Sequence, residues 1–224
     1  MKNYLNTVYN IKKKELTFEY PQKLTNYLIN RFSIKEGSVL LEPGFGRGEF
    51  LYQFQKRNIK CFGFDNSDYN YQLPINAEIK KYDATIIPWP YPDNFFDTIY
   101  NKSFIEHFYY PENLFSEFHR ILKPGGKIIC LTPDWETIFK TFYEDFTHRT
   151  PFTKKSLEDI NEISGFKNIK VEKFLQLPIL WGRNNQLFYC ASYLTKILAP
   201  NLLIKKSKFV RFSKEIMLLS YAEK

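Results

Sequence analysis

The sequence feature that most constrains the fold is an alternation of short apolar segments with amphipathic ones. Four segments carry apolar side chains with little polar alternation, namely residues 38–42, 59–65, 96–100 and 127–131. Such segments are typical of strands that are buried on both faces. Residues 49–57 and 113–122 instead place apolar side chains at helical spacing. The pattern predicts a parallel sheet that helices cover on both sides.

The rest of the chain extends this predicted sheet within one domain spanning residues 1–224. Residues 1–36 are predicted to form an N-terminal helical extension. Thr153 can cap a helix that ends near Gly165. Further along, the patterns predict strands at residues 168–173 and 215–222 and an amphipathic helix at residues 187–198, which Pro200 ends. Residues 176–214, rich in aromatic and basic side chains, form a lid-like insertion between the last two strands.

The cysteines and the hydropathy pattern bear on the compartment. The three cysteines include no CxxC pair, which argues against a disulfide framework and a zinc ribbon. Cys61 and Cys130 are therefore expected to be small core residues in a reducing, cytoplasmic environment. The N-terminus lacks the apolar region of a signal peptide. The most apolar stretch, residues 187–204, is interrupted by Lys196 and Pro200 and is not predicted to span a membrane.

The net charge of +8 is confined to the last quarter of the chain. Residues 1–166 contain 21 basic and 21 acidic residues, whereas residues 167–224 contain 11 basic and 3 acidic residues. A basic patch attracts phosphate groups, nucleic acid or anionic lipid. The alternative interpretation is a solvated face without a partner.

The most informative motif is the strand, glycine turn and helix at residues 39–51, VLLEPGFGRGEFL. Glycines at 44, 46 and 48 allow a tight turn and a close approach of the backbone to a ligand. The spacing is G-x-G-x-G rather than the G-x-G-x-x-G of dinucleotide-binding proteins, and the Gly-Lys-Ser/Thr of a phosphate-binding loop is absent.

Acidic residues around this turn indicate the kind of ligand. Glu42 precedes the glycines, where a carboxylate repels a pyrophosphate but suits an ammonium or sulfonium cation. Asp65 ends the next strand, where a carboxylate can accept both hydroxyls of a ribose. Asp83 precedes Ala84 and can meet an adenine amino group. The combination describes a cationic nucleoside without phosphates, and S-adenosylmethionine is the common metabolite of that kind.

These residues belong to an ordered set of motifs that resembles the class I S-adenosylmethionine-dependent methyltransferases, in the branch that includes quinone-biosynthesis enzymes. The matching segments are LEPGFGRG at 41–48, GFD at 63–65, DA at 83–84, PDNFFD at 92–97, SFIEH at 103–107 and LKPGG at 122–126. A weaker similarity to methyltransferases of sugars and cell-surface glycans continues in THRTPFT at 147–153, Ser156-Leu157 and Gly165-Phe166.

The resemblance implies a Rossmann-like, doubly wound α/β sheet of seven strands, mostly parallel with an antiparallel last strand. It also implies which residues contact S-adenosylmethionine. It places Glu42 at the methionine amino group, Gly44 and Gly46 under the cofactor, Asp65 and the adjacent Asn66 toward the ribose, Asp83 and Ala84 at the adenine, and Asn101 near the methionine. Glu42 departs from the commoner Asp, and Pro43 removes one backbone donor.

Transfer to a hydroxyl also needs a base, and the chain has only three histidines. His148 and His107 fall in segments expected at the ligand-binding edge of the sheet, and Asp145 is the third candidate. For His107 the structural alternative is that the Glu106-His107 pair holds the loop, and for Asp145 it is an exposed charge. Quinone-related relatives link a similar pair to a divalent ion, but two adjacent ligands do not make a site, so we predict no metal.

The predicted function is methyl transfer to a small-molecule or glycan acceptor, at oxygen. Nucleic-acid methylation is the nearest rival. The segment Asn101-Lys-Ser-Phe104, however, lacks the Pro-Pro-aromatic motif of base-methylating enzymes. A cofactor-binding subunit without catalysis is the other alternative. For the helix at 187–198, core packing, a substrate lid and peripheral contact with an anionic membrane all stay open.

Overall fold

The computed structural model describes residues 18–67, 76–181, 185–200, 203 and 206–224. Within these residues, seven strands form one sheet in the order β3-β2-β1-β4-β5-β7-β6. The strands are β1 (Val39–Pro43), β2 (Lys60–Asp65), β3 (Glu78–Lys81), β4 (Phe96–Lys102), β5 (Leu122–Pro133), β6 (Lys167–Phe174) and β7 (Met217–Glu223). Only β7 runs antiparallel to its neighbours, β5 and β6. The predicted fold class is confirmed.

Helices cover both faces of the sheet. The seven helices in the described part of the chain are α1 (Glu19–Phe32), α2 (Glu49–Gln55), α3 (Pro111–Ile121), α4 (Trp135–Ile138), α5 (Lys154–Ile163), α6 (Gln186–Leu198) and α7 (Lys208–Lys214). α1 and α2 contribute to the core on one face, and α3 and α5 contribute to the core on the other. Adjacent residues of one strand, such as Ile99 and Tyr100, enter opposite cores. The central strands therefore show no polar alternation.

Most predicted elements are present with bounds shifted by one to three residues. α5 begins with the expected cap, in which Thr153 and Ser156 form a reciprocal capping box. Gly165 follows it with a φ of +88°, which suits glycine. Cys61 and Cys130 are buried as expected. The structure describes the predicted N-terminal extension only from residue 18, so residues 1–17 lie outside it, as do 182–184, 201–202 and 204–205 of the predicted insertion.

Three predictions about individual elements need correction. The sequence analysis did not identify β3, because its residues Glu-Ile-Lys-Lys lie at the sheet edge and need little burial. The predicted turn at residues 123–126 is instead an irregularity within β5, where pairing with β4 jumps from Phe96–Leu122 to Thr98–Lys127. Of the three interpretations that the sequence leaves open for α6, core packing is excluded, because the large apolar side chains of this helix are exposed. No described helix is long and apolar enough to cross a membrane.

Candidate functional site

The glycine turn lies where β1 ends, at the edge of the sheet that also receives the ends of β2, β4 and β5. Gly44, Gly46 and Gly48 all have positive φ, at 64°, 53° and 75°. The amide of Gly44 donates to the carbonyl of Phe64 at 2.8 Å, and this fastens the turn to β2. Gly48 then caps the start of α2. The sequence thus forms the predicted turn because each reversal falls on a glycine.

Two neighbouring glycines differ sharply in the space around them, and this gives a matched prediction. A Cβ at Gly44 would lie 2.3 Å from Cδ2 of Phe104, whereas a Cβ at Gly46 would meet nothing within 4 Å. We expect Gly44→Ala to lower the free energy of unfolding by about 2–4 kcal/mol, from overpacking plus backbone strain. Gly46→Ala should cost only about 1 kcal/mol. Denaturant unfolding checks both, and equal losses would contradict the close packing of Phe104.

Glu42 is a buried acid at the end of β1. Burial raises the pKa of Glu42 well above its ordinary value, and the nearby Asp65 adds to the effect. Its Oε2 has no hydrogen-bond partner among the described residues. A bound cation would favour the ionised carboxylate and satisfy this oxygen. The residue therefore fits the amino group of S-adenosylmethionine that the resemblance assigned to it.

Asp65 ends β2, and its carboxylate connects the glycine turn to the residues that follow β2. Its Oδ2 accepts a hydrogen bond from the amide of Gly46 at 2.9 Å, and its Oδ1 accepts one from the amide of Ser67 at 2.8 Å. Each carboxylate oxygen retains a further lone-pair direction. The geometry holds the carboxylate against the glycine turn, as a ribose-binding acid requires.

The other predicted cofactor residues lie in different surroundings. Asp83 is half-buried, and its Oδ1 accepts hydrogen bonds from the amide and the hydroxyl of Thr85. The adjacent Ala84 is buried, and Asn66 is exposed beside Asp65. Asn101 is fully buried, and its Oδ1 accepts from the thiol of Cys130 at 2.9 Å. Its Nδ2 has no partner among the described residues. The roles of these four residues stay predictions.

The structure brings the three predicted catalytic residues together. His107 ends a short 3-10 turn at Ile105–His107, which follows β4. His148 and Asp145 lie in the loop before α5. The carbonyl of Glu106 accepts the amides of Arg149 at 2.8 Å and Thr150 at 3.1 Å. These bonds fasten the loop to the turn, so the Glu106-His107 pair does hold the loop shape. As a result the rings of His107 and His148 lie 5.0 Å apart.

A hydrogen-bonded chain sets the proton position on His107. The hydroxyl of Thr147 donates to Oδ1 of Asp145 at 2.6 Å. The same hydroxyl oxygen lies 2.9 Å from Nδ1 of His107. Because a hydroxyl has one proton, Nδ1 of His107 must be the donor in that contact. In the neutral ring the lone pair is then on Nε2, which is the arrangement of an oriented base.

His148 has the same tautomer for a different reason. Its Nδ1 lies 2.6 Å from the carbonyl oxygen of Phe142, and a carbonyl can only accept, so Nδ1 carries the proton. The Nε2 atom of His148 is 4.0 Å from Oδ2 of Asp145. Asp145 is half-buried and accepts hydrogen bonds from the amide and the hydroxyl of Thr147, and it would form an ion pair with His148 only when that ring is protonated. The alternative of an isolated exposed charge is therefore not what the structure shows.

Glu106 adds a carboxylate to this pair of rings. One ligand atom from each of Glu106, His107 and His148 lies within 4.8 Å of the others. Burial raises the pKa of Glu106 to about 7. Its Oε2 accepts from Thr132 at 2.9 Å, while its Oε1 has no partner in the described part of the chain. The prediction of no metal rests on the sequence motif offering only two adjacent ligands, Glu106 and His107. The fold adds His148 as a third ligand, so this argument against a metal no longer holds.

Lys102 is a site residue that the sequence analysis missed. It is the last residue of β4, and burial lowers its pKa to about 8 despite the charges of Glu106 and Glu42. The ammonium of Lys102 therefore interacts with the charges of both the acid of the glycine turn and the acid of the histidine cluster. Phe104 makes a second connection, because its ring packs on Gly44. The sequence did contain a signal for this residue, namely a lysine at the carboxyl end of a largely buried strand.

Comparison with known proteins identifies the family to which the chain belongs. A family profile described as a methyltransferase domain matches residues 16–171. The chain therefore belongs to this methyltransferase family. Membership confirms the predicted family, the enzyme class and S-adenosylmethionine as the cofactor.

Two curated relatives and one solved structure show the range of similar proteins. Phosphoethanolamine N-methyltransferase 3 of Arabidopsis thaliana is 29% identical over 176 residues, or 72% of this chain and 34% of that protein. Sterol 24-C-methyltransferase of Pneumocystis carinii is 29% identical over 135 residues, or 55% of this chain and 35% of that protein. This chain thus spans about a third of the length of either relative.

The solved structure is a SAM-dependent methyltransferase from Archaeoglobus fulgidus, with a TM-score of 0.65 and 21% identity over 91% of this chain and 94% of that chain. At this identity the comparison supports the fold. It places the same architecture in a protein that extends over almost the same length.

Proposed function

We propose that this protein transfers a methyl group from S-adenosylmethionine to an oxygen atom of a small-molecule or glycan acceptor. The observation that carries the proposal is the chain from Asp145 through Thr147 to His107, which orients the imidazole with its proton on Nδ1 and supports a role as a base. A hydroxyl acceptor needs such a base because it must lose its proton as the new bond forms.

The chain's own residues divide into those that hold the donor and those that prepare the acceptor. S-adenosylmethionine supplies an electrophilic methyl group when bound. Glu42 would hold the amino group of its methionine, Asp65 its ribose, and the turn at Gly44 and Gly46 would lie beneath it. Aligning the two reactants in this way can contribute about 7–11 kcal/mol to lowering the barrier.

The histidine cluster would accept the proton of the acceptor. Burial lowers the pKa of His107 below its ordinary value, and the nearby His148 lowers it further. The ring is therefore neutral at pH 7 and can accept a proton at Nε2. Asp145 raises the pKa of His107, because its carboxylate stabilises the positively charged imidazolium. The same interaction would stabilise the imidazolium that forms during the reaction.

An amine nitrogen is the second candidate for the methylated atom. It is favoured by the similarity to phosphoethanolamine N-methyltransferase 3, whose name states a nitrogen acceptor. An ammonium group must also lose a proton before it can attack, so the same base serves either atom. The identity of the acceptor class separates the two candidates.

Acceptor screening with methyl-labelled S-adenosylmethionine tests the proposal. Sugars, glycans, phenols, amines and tRNA are incubated with the protein, and label in the product is located by mass spectrometry and NMR. We expect label on the oxygen of a small molecule or glycan. Label on nitrogen would favour the second candidate, and label only in tRNA would overturn both. Cofactor binding with no transfer to any class would favour the non-catalytic alternative.

A further inference from the structure

Helix α6 is packed with its polar side inward. Ser192 is only 2% exposed, and its hydroxyl donates to the hydroxyl of Ser213 on α7 at 2.9 Å. Ala191 and Thr195, on the same side, are half-buried. Apart from Phe188, which lies on this side and is 40% exposed, small and polar side chains form the contact with the protein, which reverses the usual arrangement of a surface helix.

The opposite side of α6 is apolar and open to solvent in the described structure. Because each residue advances the helix by about 100°, the exposed side chains cover roughly half of its circumference. We call this surface the outer face. It consists of Leu187 (80% exposed), Tyr189 (48%), Cys190, Tyr193 (65%), Leu194 (54%), Ile197 (60%) and Leu198 (73%).

An exposed surface of this kind is costly unless something covers it. Burying a large apolar side chain is favourable, and continuous apolar patches on soluble proteins usually mark interaction sites. Ile163 on α5, by contrast, is a single exposed apolar residue on an otherwise polar or buried helix. The outer face therefore requires an occupant.

The charges around the outer face select an anionic occupant. Residues 174–214 contain seven basic residues and no Asp or Glu. Among the described ones, three lysines are exposed, Lys196 on α6, Lys206 between the two helices and Lys208 at the start of α7. Each such lysine contributes about 1 kcal/mol to binding at an anionic lipid surface.

The side-chain pattern further favours a lipid surface over an acidic protein. Tyr189, Tyr193 and Lys196 follow one another at i, i+4 and i+7, so they line one border of the outer face. The hydroxyl of Tyr189 donates to the carbonyl of Leu180 at 3.0 Å, so Tyr193 and Lys196 present the polar groups of this border. A tyrosine hydroxyl and a lysine ammonium group at the border of an apolar helix face suit the depth of lipid headgroups. At 13 residues α6 is about 20 Å long, a length that suits a helix lying along the surface.

We propose that the outer face of α6 lies in the plane of an anionic lipid bilayer. The ring of Phe212 on α7 stacks on Tyr20 of α1 at 6.1 Å, and Tyr20 also packs at 6.4 Å on Phe50 of α2, the helix that follows the glycine turn. These contacts place the paired helices on the side of the cofactor site. Docking would thus bring that site close to the lipid surface. The proposal does not depend on the acceptor, because vesicle binding is measured without turnover.

A fluorophore on Cys190 provides the direct measurement. Cys190 is exposed, whereas Cys61 and Cys130 are buried, so one thiol per chain should react under native conditions. Vesicles of phosphatidylcholine with phosphatidylglycerol should shift the emission to the blue and carry the protein in flotation. Vesicles of phosphatidylcholine alone should bind it much less, and salt should weaken the binding.

Substitutions give the matched comparison. The double variant Leu194→Glu and Ile197→Glu should weaken vesicle binding by at least about tenfold, whereas Ile163→Glu, at an equally exposed apolar position on α5, should leave it unchanged. Lys196→Gln and Lys206→Gln should each cost about fivefold. Thermal unfolding of all four proteins checks that they remain folded.

Three results would overturn the proposal. The first is no binding to phosphatidylglycerol vesicles at low salt. The second is a blue-shifted label in dilute protein without lipid, which would mean that another part of this chain covers the face. The third is a dimer, detected by light scattering, that shields Cys190 and does not dissociate on vesicles. A second copy would then be the occupant.

Discussion

The His107→Gln variant should lose about 10²–10⁴-fold in turnover, because a placed general base typically contributes that much. Glutamine can still hydrogen-bond to Thr147, so the loop that Glu106 fastens should keep its shape. Binding of S-adenosylmethionine should change less than about twofold, since the residues that would hold it are Glu42, Asp65 and the glycine turn. Steady-state kinetics and calorimetry with the cofactor measure the two effects separately.

His148→Ala should also lower turnover and leave cofactor affinity nearly intact. The imidazole of His148 is held by the carbonyl of Phe142 and faces His107. The control is His119→Ala, which removes the third histidine. That ring packs on Phe166 at 5.2 Å, on α3 and away from the cluster. Equal losses from all three histidine variants would contradict an active role for the cluster, as would a large loss of cofactor binding.

The pH profile gives a readout that a structural role would not change. The lowered pKa of His107 predicts a plateau of activity at pH 7 and above. Activity should fall as the pH drops through this pKa, below about 6.5, because the ring then becomes protonated. Since Asp145 raises this pKa, Asp145→Asn should move the acidic fall to still lower pH. An unchanged pH profile in Asp145→Asn would mean that Asp145 does not affect the general base.

The second large effect is expected from Asp65→Ala, which should weaken S-adenosylmethionine binding on the order of 100-fold or more. Two hydrogen bonds from ribose hydroxyls to a carboxylate are each worth about 1.5–3 kcal/mol. The substitution also removes the acceptors of the Gly46 and Ser67 amides, so the turn itself loses support. Calorimetry with S-adenosylmethionine and with its demethylated product measures the loss.

Asp97→Ala is the matched control for Asp65. Asp97 also accepts a backbone amide, that of Val39 at 2.8 Å, and pairs with Lys123 at 2.7 Å. It lies near the start of β4, at the opposite edge of the sheet from the end of β2. Its loss should lower stability without changing cofactor affinity. Similar affinities for Asp65→Ala and Asp97→Ala would remove the ribose role from Asp65.

Local patterns were sufficient wherever an element is buried and regular. β1 and the regular part of β5 could be predicted because each carries a continuous apolar run that has to be buried on both faces, and β4 because three of the five side chains in its predicted segment are apolar. The glycine turn could be predicted because three positive φ values require three glycines. β3 could not, since a polar edge strand of four residues is held by pairing with β2 and has little hydrophobic signal of its own.

The site residues also divide into those that local sequence patterns predict and those that depend on the tertiary structure. Glu42 and Asp65 could be named because they end consecutive buried strands, and the ends of parallel strands share one edge. Lys102 was missed because its significance depends on burial near two acids that are far apart in the chain. The metal-capable geometry of Glu106, His107 and His148 was missed for a similar reason. It requires the loop at residues 145–150 to fold back onto the turn after β4.

The sequence alone determined the sheet, the glycine turn and the chemical type of the cofactor site, because those depend on local spacing and on which residues must be buried. Tertiary structure alone decided two things. It joined Asp145, Thr147 and His107 into one hydrogen-bonded chain, and it turned the apolar side of α6 outward. Periodicity reports that a helix has an apolar side, but only the packing of Ser192 against α7 fixes the direction in which that side points.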